Sequence, residues 1–306
     1  MNSVRRRTRT ACTLATLLVG MTLASSQSIS AQEPPQVVAP ALTFTFSPVA
    51  VPGARAVGVY AVNNSGSMVG TYLDSAGLWH GLLIAGGKVK TIDHPGAAGG
   101  TFICGVNSTG VVAGYYLDSV GASYGFTYSG GKFTAVTPSP GAPTQVYGLN
   151  DKGQVTGAFF DVNLNKRRAF FGTAAGYTVL DAPNSISTLA WGINNAGIVT
   201  LVWQNTAGLR NGAIYANKKF TTVNVPGATE TLMRGINTAG DLTMAWTDSS
   251  GNSHGALRTG GKFYKFSDPA MPNGTRSTGI NDKRTIVGNL VDSQGNFTIN
   301  GFKVTY

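Results

Sequence analysis

The sequence contains few of the side chains that carry out catalysis or bind metals. Its 306 residues include 13 acidic residues, three histidines and two cysteines. No His-x-x-x-His or paired-cysteine spacing occurs, so the sequence predicts no transition-metal site. Glu33 and Glu230 are the only glutamates, and no carboxylate pair stands out of the kind that a glycosidase places around one bond. We therefore assign no catalytic, cofactor-binding or metal-binding residue.

Long apolar runs are also missing, except near the start of the chain. Four arginines between positions 5 and 9 precede an apolar run over residues 11–24, and small residues follow at 28–31. This order is typical of a signal peptide, and the run is shorter than the roughly 18–20 residues that span a membrane. We predict a signal peptide over residues 1–31, a linker over 32–41, and an extracellular or periplasmic protein with no membrane span after cleavage. An uncleaved membrane anchor is the alternative.

Cleavage at this point changes the charge and the cysteine count. It removes four of the 23 basic residues, which leaves 19 against 13 acidic residues and a net charge of +6 instead of +10. No basic run is interleaved with aromatic residues, the pattern typical of a nucleic-acid surface, so no nucleic-acid partner is expected. Cys12 is removed as well, and Cys104 then has no intramolecular disulfide partner.

The chain is instead rich in repetition. Asparagine recurs at spacings of 44, 43, 44, 43 and 44, as Asn63, Asn107, Asn150, Asn194, Asn237 and Asn281. Eleven residues after each stands Asp74, Asp118, Asp161, Asn205, Asp248 or Asp292. A constant period of this length indicates one supersecondary unit copied in tandem. Each unit reads as four strands separated by turns, without helical periodicity. The sequence therefore predicts an all-β fold, a six-bladed β-propeller of four-stranded blades over residues 42–306.

The second strand of each repeat shows the expected alternation most clearly. Nine residues after the asparagine stands Tyr72, Tyr116, Phe159, Trp203, Trp246 or Leu290. Two residues earlier, four of the six copies have glycine, which indicates the close approach of another backbone or a large neighbour. Apolar or small residues at every second position predict a strand with one buried face. We interpret the aromatic column as core between blades rather than as a ligand platform.

Turn motifs separate these strands. In Asn-x-x-Gly, as at residues 63–66, the asparagine side chain accepts backbone N–H groups and the glycine adopts a positive φ. Asp-Ser-x-Gly makes the second turn and Gly-Gly-Lys the third, and Pro-Gly-Ala begins the longer connection to the next blade. Residues 161–165 depart from this pattern and space their oxygen ligands like a calcium loop. They lack the glycine and the distal glutamate, and three basic residues follow, which favours an altered, solvated turn.

The composite Gly-Ile-Asn-x-x-Gly-x-Val-x-Gly-x-Tyr-x-Asp-x-x-Gly resembles the HAF family of bacterial extracellular repeats. The His-Ala-Phe triplet that names this family has counterparts at His80-Gly81-Leu82, Tyr124-Gly125-Phe126, Arg168-Ala169-Phe170, Asn211-Gly212-Ala213, His254-Gly255-Ala256 and Asn300-Gly301-Phe302. The resemblance covers almost all of the chain after residue 31. It implies export and a propeller-like repeat fold, and it implies no catalytic residues. Histidine occurs in only two of the six triplets, which argues against it as a site residue.

The turns also separate the charges. The first and third turns of a four-stranded blade lie on one face of a propeller, and here they carry Lys88, Lys132, Lys152, Lys218, Lys219, Lys262, Lys283 and Arg284. The second turns carry the carboxylates of the eleven-residue column. We predict a basic face opposite a ring of turn carboxylates, and an acidic polymer or glycan as the partner of the basic face. Plain turn chemistry and solubility are the alternative.

The last repeat has three strands and no fourth. Phe44-Thr45-Phe46 before Pro52-Gly53-Ala54 matches the fourth-strand signature of the other repeats, such as Phe133-Thr134-Ala135-Val136 before Pro140-Gly141-Ala142. An unpaired edge on the last blade would invite aggregation. We predict that residues 42–46 pair with residues 301–306 and close the last blade.

Two functions fit these patterns. The first is an exported, non-enzymatic interaction or scaffold protein that binds an extracellular or envelope glycan or protein. The alternative is a secreted hydrolase or lyase acting on polysaccharide, because fold alone does not settle function. Converging carboxylates, Tyr or Arg that break the six-fold similarity at the axis would favour the enzyme. Repeat-equivalent small residues there would count against it.

Overall fold

The computed structural model describes residues 42–306. The predicted signal peptide, residues 1–31, and the predicted linker, residues 32–41, lie outside the described residues. The described chain forms 24 strands in six four-stranded sheets, and every strand pair is antiparallel. It contains no helix with the length and apolar character needed to cross a membrane. The predicted all-β, six-bladed propeller is therefore confirmed.

The strands of the first three blades follow one another in chain order within each sheet. The first blade contains β2 (Ala56–Val62), β3 (Met68–Leu73), β4 (Trp79–Ala85) and β5 (Lys88–Thr91). The second contains β6 (Gly100–Val106), β7 (Val112–Leu117), β8 (Ser123–Ser129) and β9 (Lys132–Val136). The third contains β10 (Thr144–Leu149), β11 (Val155–Asp161), β12 (Lys166–Thr173) and β13 (Gly176–Leu180).

The fourth and fifth blades have the same order, and the sixth does not. The fourth contains β14 (Ser187–Ile193), β15 (Val199–Gln204), β16 (Arg210–Ala216) and β17 (Lys219–Thr222). The fifth contains β18 (Glu230–Ile236), β19 (Leu242–Thr247), β20 (Ser253–Thr259) and β21 (Lys262–Phe266). The sixth combines β22 (Thr275–Ile280), β23 (Thr285–Val291) and β24 (Phe297–Thr305) with β1 (Thr45–Ala50), in the order β22-β23-β24-β1.

The N-terminal strand closes the ring as predicted, in a register that differs from the prediction. Thr45 lies opposite Thr305, and Ala50 lies opposite Asn300. The pairing segment is thus residues 45–50 rather than 42–46. Phe44 packs on Phe266 with ring centroids 4.6 Å apart. The residues before β1 therefore cover the core of the last blade without joining its hydrogen-bonded ladder.

The core lies between the blades, and this corrects one expectation. The second strand of each blade was predicted to bury one face, yet both of its faces are covered because each blade is sandwiched between two neighbours. Six residues after the asparagine, on the face not assigned to the core, every side chain is 0% exposed: Val69, Ala113, Thr156, Thr200, Thr243 and Val287. In the aromatic column Phe159, Trp246 and Leu290 are buried, whereas Tyr72, Tyr116 and Trp203 are half-buried.

The glycines of the second strand lie very close to the backbone of the first strand, as predicted. A Cβ atom added to Gly70 would lie 1.9 Å from the carbonyl oxygen of Gly58 on the preceding strand, and one added to Gly157 would lie 2.1 Å from that of Gln145. No side chain fits at these distances. The glycines therefore allow the second strand to lie tightly against the first.

The repeated asparagine makes the first turn of each blade, as predicted, and also links one blade to the next. The Oδ1 atom of Asn63 accepts the backbone N–H groups of Ser65 and Ser67 at 3.1 and 2.9 Å. Its Nδ2 atom donates to the backbone oxygen of Asn107 at 2.9 Å. Five of the six asparagines make such a bond to the next repeat. One of the five is Asn281, which donates to Asn63 at 3.0 Å. The bond between blades was not predicted.

We expect loss of β1 to destabilise the whole ring. A chain that begins at residue 48 lacks half of β1 and both Phe44 and Phe46, whereas a chain that begins at residue 40 keeps every described residue. Phe44 and Phe46 are half-buried, so each lost side chain should cost about 1–2 kcal/mol, and the lost ladder bonds add to this. The first chain should therefore unfold at least about 5 °C below the second. Thermal melts followed by circular dichroism compare them. Equal midpoints would show that the ring is open or closed in another way.

The two tryptophans of the aromatic column should differ in their effect on stability. Trp246 is 8% exposed, and its indole N–H donates to the carbonyl oxygen of Gly255 at 3.1 Å. Trp203 is half-buried. Trp246→Ala should cost about 3–5 kcal/mol of unfolding free energy, and Trp203→Ala about 1–2 kcal/mol. Denaturant titrations measure both, and an equal or reversed order would show that burial in this column does not determine stability.

Candidate functional site

The six inner strands surround a cavity on the axis of the propeller, and each of them is irregular at the same place. In β2, β6, β10, β14, β18 and β22, the register with the next strand shifts three residues before the repeated asparagine. Such a shift is a β-bulge, which leaves a residue outside the ladder and redirects its side chain. The same device therefore turns one residue per blade toward the axis.

These bulge residues are the part of the axis that breaks the repeat. They line a cavity of about 120 Å³ and are Tyr60, Cys104, Tyr147, Trp191, Arg234 and Thr278. The neighbouring layers are uniform. The residues one position later are Ala61 and five glycines, and those two positions later are Val62, Val106, Leu149, Ile193, Ile236 and Ile280, each at most 9% exposed. This aliphatic ring lies between the axial cavity and the polar mouth formed by the asparagines.

Three of the bulge residues form a stack. The guanidinium of Arg234 lies 3.4 Å from the centre of the Trp191 ring. The other neighbour of Trp191 is Tyr147, with ring centroids 4.2 Å apart and planes inclined by 15°. The Tyr147 hydroxyl donates to Gln145, whose Oε1 atom also accepts from Arg167 at 2.7 Å. The guanidinium is thus positioned by aromatic stacking and not by a carboxylate.

The side chains that line the cavity include hydrogen-bond donors and one cation, but none that accepts a proton near neutral pH. Burial raises the pKa of Tyr147 and of Cys104 to about 12, and it raises the pKa of Tyr60 well above its usual range. Burial, aided by the charges of Arg210 and Arg276, lowers the pKa of Arg234 to about 10. At neutral pH both phenols and the thiol are therefore protonated, and the guanidinium is charged.

Two donors of this cavity are unused within residues 42–306. The Tyr60 hydroxyl and the Arg234 guanidinium are half-buried and make no hydrogen bond or ion pair with the described chain, whereas the Thr278 hydroxyl donates to the carbonyl oxygen of Val59 at 2.7 Å. The indole N–H of Trp191 also lacks a partner in this part of the chain, but it is buried and is not reached from the cavity. Tyr60 and Arg234 are therefore the groups that can bind an acceptor that is not part of the chain.

The residues at the axis show only some of the features expected of an enzyme. Tyr60, Tyr147 and Arg234 do break the six-fold similarity, while the residues that line the cavity include no carboxylate. None of the bulge residues was predicted from the sequence, because the repeated Gly-Ile-Asn pattern begins just after them. The signal lay three residues upstream, where the six copies hold five different residue types beside columns that hardly vary.

The polar mouth formed by the asparagines contains carboxylates that accept hydrogen bonds from neighbouring residues. Asp151 accepts the backbone N–H of Ser108 at 2.8 Å and a side-chain N–H of Asn195 at 2.8 Å. Asp282 accepts from Thr238 and Asn64 in the same way. These hydrogen bonds lower the pKa of Asp151, and they lower that of Asp282 against the opposing effect of its burial. The centre of the face predicted to be basic is therefore occupied by the carboxylates of Asp151 and Asp282, each held by hydrogen bonds from neighbouring residues. Its exposed basic residues lie in the turns named above.

The first residue of the triplet that resembles the HAF motif makes a structural link in three of the blades. His80 contacts Asp93 at 2.7 Å and Asp74 at 3.2 Å, so it joins the fourth strand to the second turn. Burial opposes the charged imidazolium, but the hydrogen bonds with both carboxylates outweigh it and raise the pKa of His80. Arg168 makes the same link in the third blade, to Asp181 at 2.7 Å and Asp161 at 3.2 Å. His254 makes the link in the fifth blade, to Asp248 and Ser267, whereas Tyr124 bonds only Asp118.

The altered turn at Asp161 has no free carboxylate to offer calcium. Its Oδ1 atom accepts the backbone N–H groups of Asn163 and Leu164, at 3.1 and 3.2 Å, and its Oδ2 atom pairs with Arg168. Residues 42–306 contain no group of three or more Asp, Glu, His or Cys side chains placed to hold a metal ion.

Comparison with known proteins identifies the fold. No family model matches this sequence, and no curated protein sequence matches it. Among solved structures, the SapL1 lectin in complex with α-methyl fucoside is similar at 13% identity and a TM-score of 0.52, over 78% of this chain and 88% of that one. A candidate gluconolactonase is similar at 13% identity and a TM-score of 0.50, over 86% and 92%.

The six-bladed lectin of Aleuria aurantia, whose structure concerns fucose recognition, is similar at 11% identity and a TM-score of 0.47, over 81% and 91%. At these identities the similarities show a shared fold and do not show a shared ligand.

The thiol of Cys104 should be unreactive in the folded protein. It is 6% exposed and its pKa is raised from 9.0 to about 12, so little thiolate forms at mildly alkaline pH. With Cys12 replaced by serine, Ellman's reagent should label the native chain at least about 100-fold more slowly than the chain unfolded in guanidinium chloride. Rapid labelling of the native chain would reveal an activated nucleophile on the axis and would favour the enzyme.

Proposed function

We propose that this protein is an exported, non-enzymatic propeller that binds carbohydrate in the axial cavity. The observation that carries the proposal is the ring of bulge residues. The two columns that follow this position in the inner strands hardly vary, whereas the position itself holds five residue types, and these residues line a cavity. Diversity placed at a bulge, beside uniform layers, is typical of a site and not of packing.

The chemistry of the cavity favours a hydroxylated, acceptor-rich ligand. Tyr60 and Arg234 present donors without acceptors, and the cavity walls add the aromatic surface of Tyr147 and Trp191. Carbohydrates combine many oxygen acceptors with apolar C–H faces, which suits such a mixture. The SapL1 lectin, which is similar in fold and was solved with α-methyl fucoside, supports the ligand class without specifying the sugar.

The alternative, a hydrolase or lyase, has the similarity to a candidate gluconolactonase in its favour. Hydrolysis or elimination requires a group that accepts a proton near neutral pH. The phenols and the thiol of the cavity hold their protons well above that range, and Arg234 accepts none. We therefore favour binding without turnover.

The basic face is a second candidate surface. The eight basic residues of the first and third turns are all exposed, and they are spread over the turns of one face. We propose that this face contacts acidic polymers through charge alone. Such contacts weaken as salt screens them, whereas binding in the partly buried axial cavity depends less on salt.

We expect a glycan array probed with the full chain to retain at least one saccharide class, and titration calorimetry to give one site per chain. One site is expected because there is one axis. Trp191→Ala should weaken binding at least about tenfold, since Arg234 loses the ring that positions it. Trp203→Ala, a half-buried tryptophan of the same blade, is the matched control and should leave the affinity unchanged.

Several sites per chain would show that the ligand binds in repeated pockets between blades, and equal losses in the two variants would show that the effect is structural. Retention of no saccharide, or release of a product from one, would overturn the proposed function.

A further inference from the structure

We infer that the axial cavity binds the carboxylate of an acidic sugar, a hexuronate, with Arg234 as the residue that recognises it. The inference rests on the proposed function and names the ligand class of the same cavity. It is carried by Arg234 itself, which lines the cavity without an ion pair, whereas four other arginines have polar partners.

Those other arginines have partners within the chain. Arg168 pairs with Asp161 and Asp181. Arg210 holds Glu230 through two hydrogen bonds from its side chain. Arg276 donates to the Ser253 hydroxyl at 3.2 Å, and Arg167 donates to Gln145. Arg234 has only the face of Trp191, and it has neither an ion pair nor a side-chain hydrogen bond within residues 42–306. Arg55, Arg258 and Arg284 also lack such partners within the described chain, but none of them lines the cavity.

The surroundings of Arg234 favour an anion. Its pKa is lowered by burial and by the positive charges of Arg210 and Arg276. Glu230 is already engaged by Arg210, and no carboxylate lines the cavity. A partly buried cation surrounded by like charges is costly unless an anion joins it. A stack on tryptophan offsets part of this cost and leaves the edge of the guanidinium, where its N–H groups are, available.

The remaining donors indicate a carboxylate that is attached to a hydroxylated ring. A guanidinium edge matches a carboxylate in a two-pronged geometry. The Tyr60 hydroxyl lies in the same layer and remains available for a ring or hydroxyl oxygen. The cavity of about 120 Å³ is small beside the roughly 300–1,000 Å³ of typical ligand pockets. It therefore takes the carboxylate end of one sugar residue and not a chain of sugars.

Matched pairs of ligands test this directly. Methyl β-glucuronide differs from methyl β-glucoside, and methyl α-galacturonide from methyl α-galactoside, in having a carboxylate where the neutral sugar has a hydroxymethyl group. Titration calorimetry of the full chain should show that one acidic member binds about 10- to 100-fold more tightly than its neutral partner. Arg234→Met should abolish this preference, and Arg234→Lys should reduce it.

Arg258→Met is the matched control, because the Arg258 guanidinium also lies over an aromatic ring, 5.8 Å from the centre of Phe263, on a different strand of the same blade. It should preserve the preference for the acidic sugar. The melting temperature of ligand-free Arg234→Met separates binding from a structural role. We expect no decrease, since the substitution removes an unpaired, partly buried charge, whereas a structural arginine would cause a decrease.

Different failures have different meanings. If neutral sugars bind as tightly as acidic ones, or if Arg234→Met keeps the preference, the carboxylate inference is wrong and carbohydrate binding stands. If acetate or inorganic phosphate at the same concentration displaces the acidic sugar, the cavity is a general anion site and the hexuronate inference is wrong. If no saccharide binds in any assay, both the inference and the proposed function are wrong.

Discussion

The ring of asparagine side chains around the axis is the interaction on which the other features depend. Each Oδ1 atom fixes a turn within its own blade, and five of the six Nδ2 atoms link the blades, from Asn63 to Asn107 and at the end from Asn281 back to Asn63. Asparagine suits this position because its side chain carries both an acceptor and donors. An aspartate would place a second oxygen against a carbonyl oxygen. With all six side chains at most 7% exposed, an unsatisfied amide here would be costly.

This ring explains how a regular scaffold tolerates an irregular site. The asparagine bonds and the aliphatic ring beside them hold the inner strands at one end, and the glycine-lined approach of the second strand holds them along their length. The bulge lies between these supports and takes no part in the ladder. A tyrosine, a tryptophan or an arginine therefore occupies it without altering the blade. The six-fold frame and the asymmetric cavity are consequences of the same local geometry.

Much of the fold was predictable because the same residue types recur at fixed positions in each repeat. The period gave the number of blades, and the turn motifs gave the hairpins and the closure of the last blade. Three features were not predictable in this way. Val69 and Thr156 lie on a second buried face, which alternation does not reveal when both faces are covered. The register of β1 depends on how Phe44 packs on Phe266. The bulge that exposes Arg234 to the axis is a property of two paired strands, and a single strand's sequence does not show it.

The pairing of β1 with β24 has a consequence for the order of folding. Thr45 and Thr305 are opposite each other although almost the whole described chain separates them. A ribosome makes β1 first and β24 last, so the earliest strand waits unpaired while five blades are completed from local hairpins. Contacts this distant in sequence form late and slow the final step, and an edge left open during synthesis is prone to aggregation. The last blade is therefore where a chaperone would gain most by shielding the nascent chain.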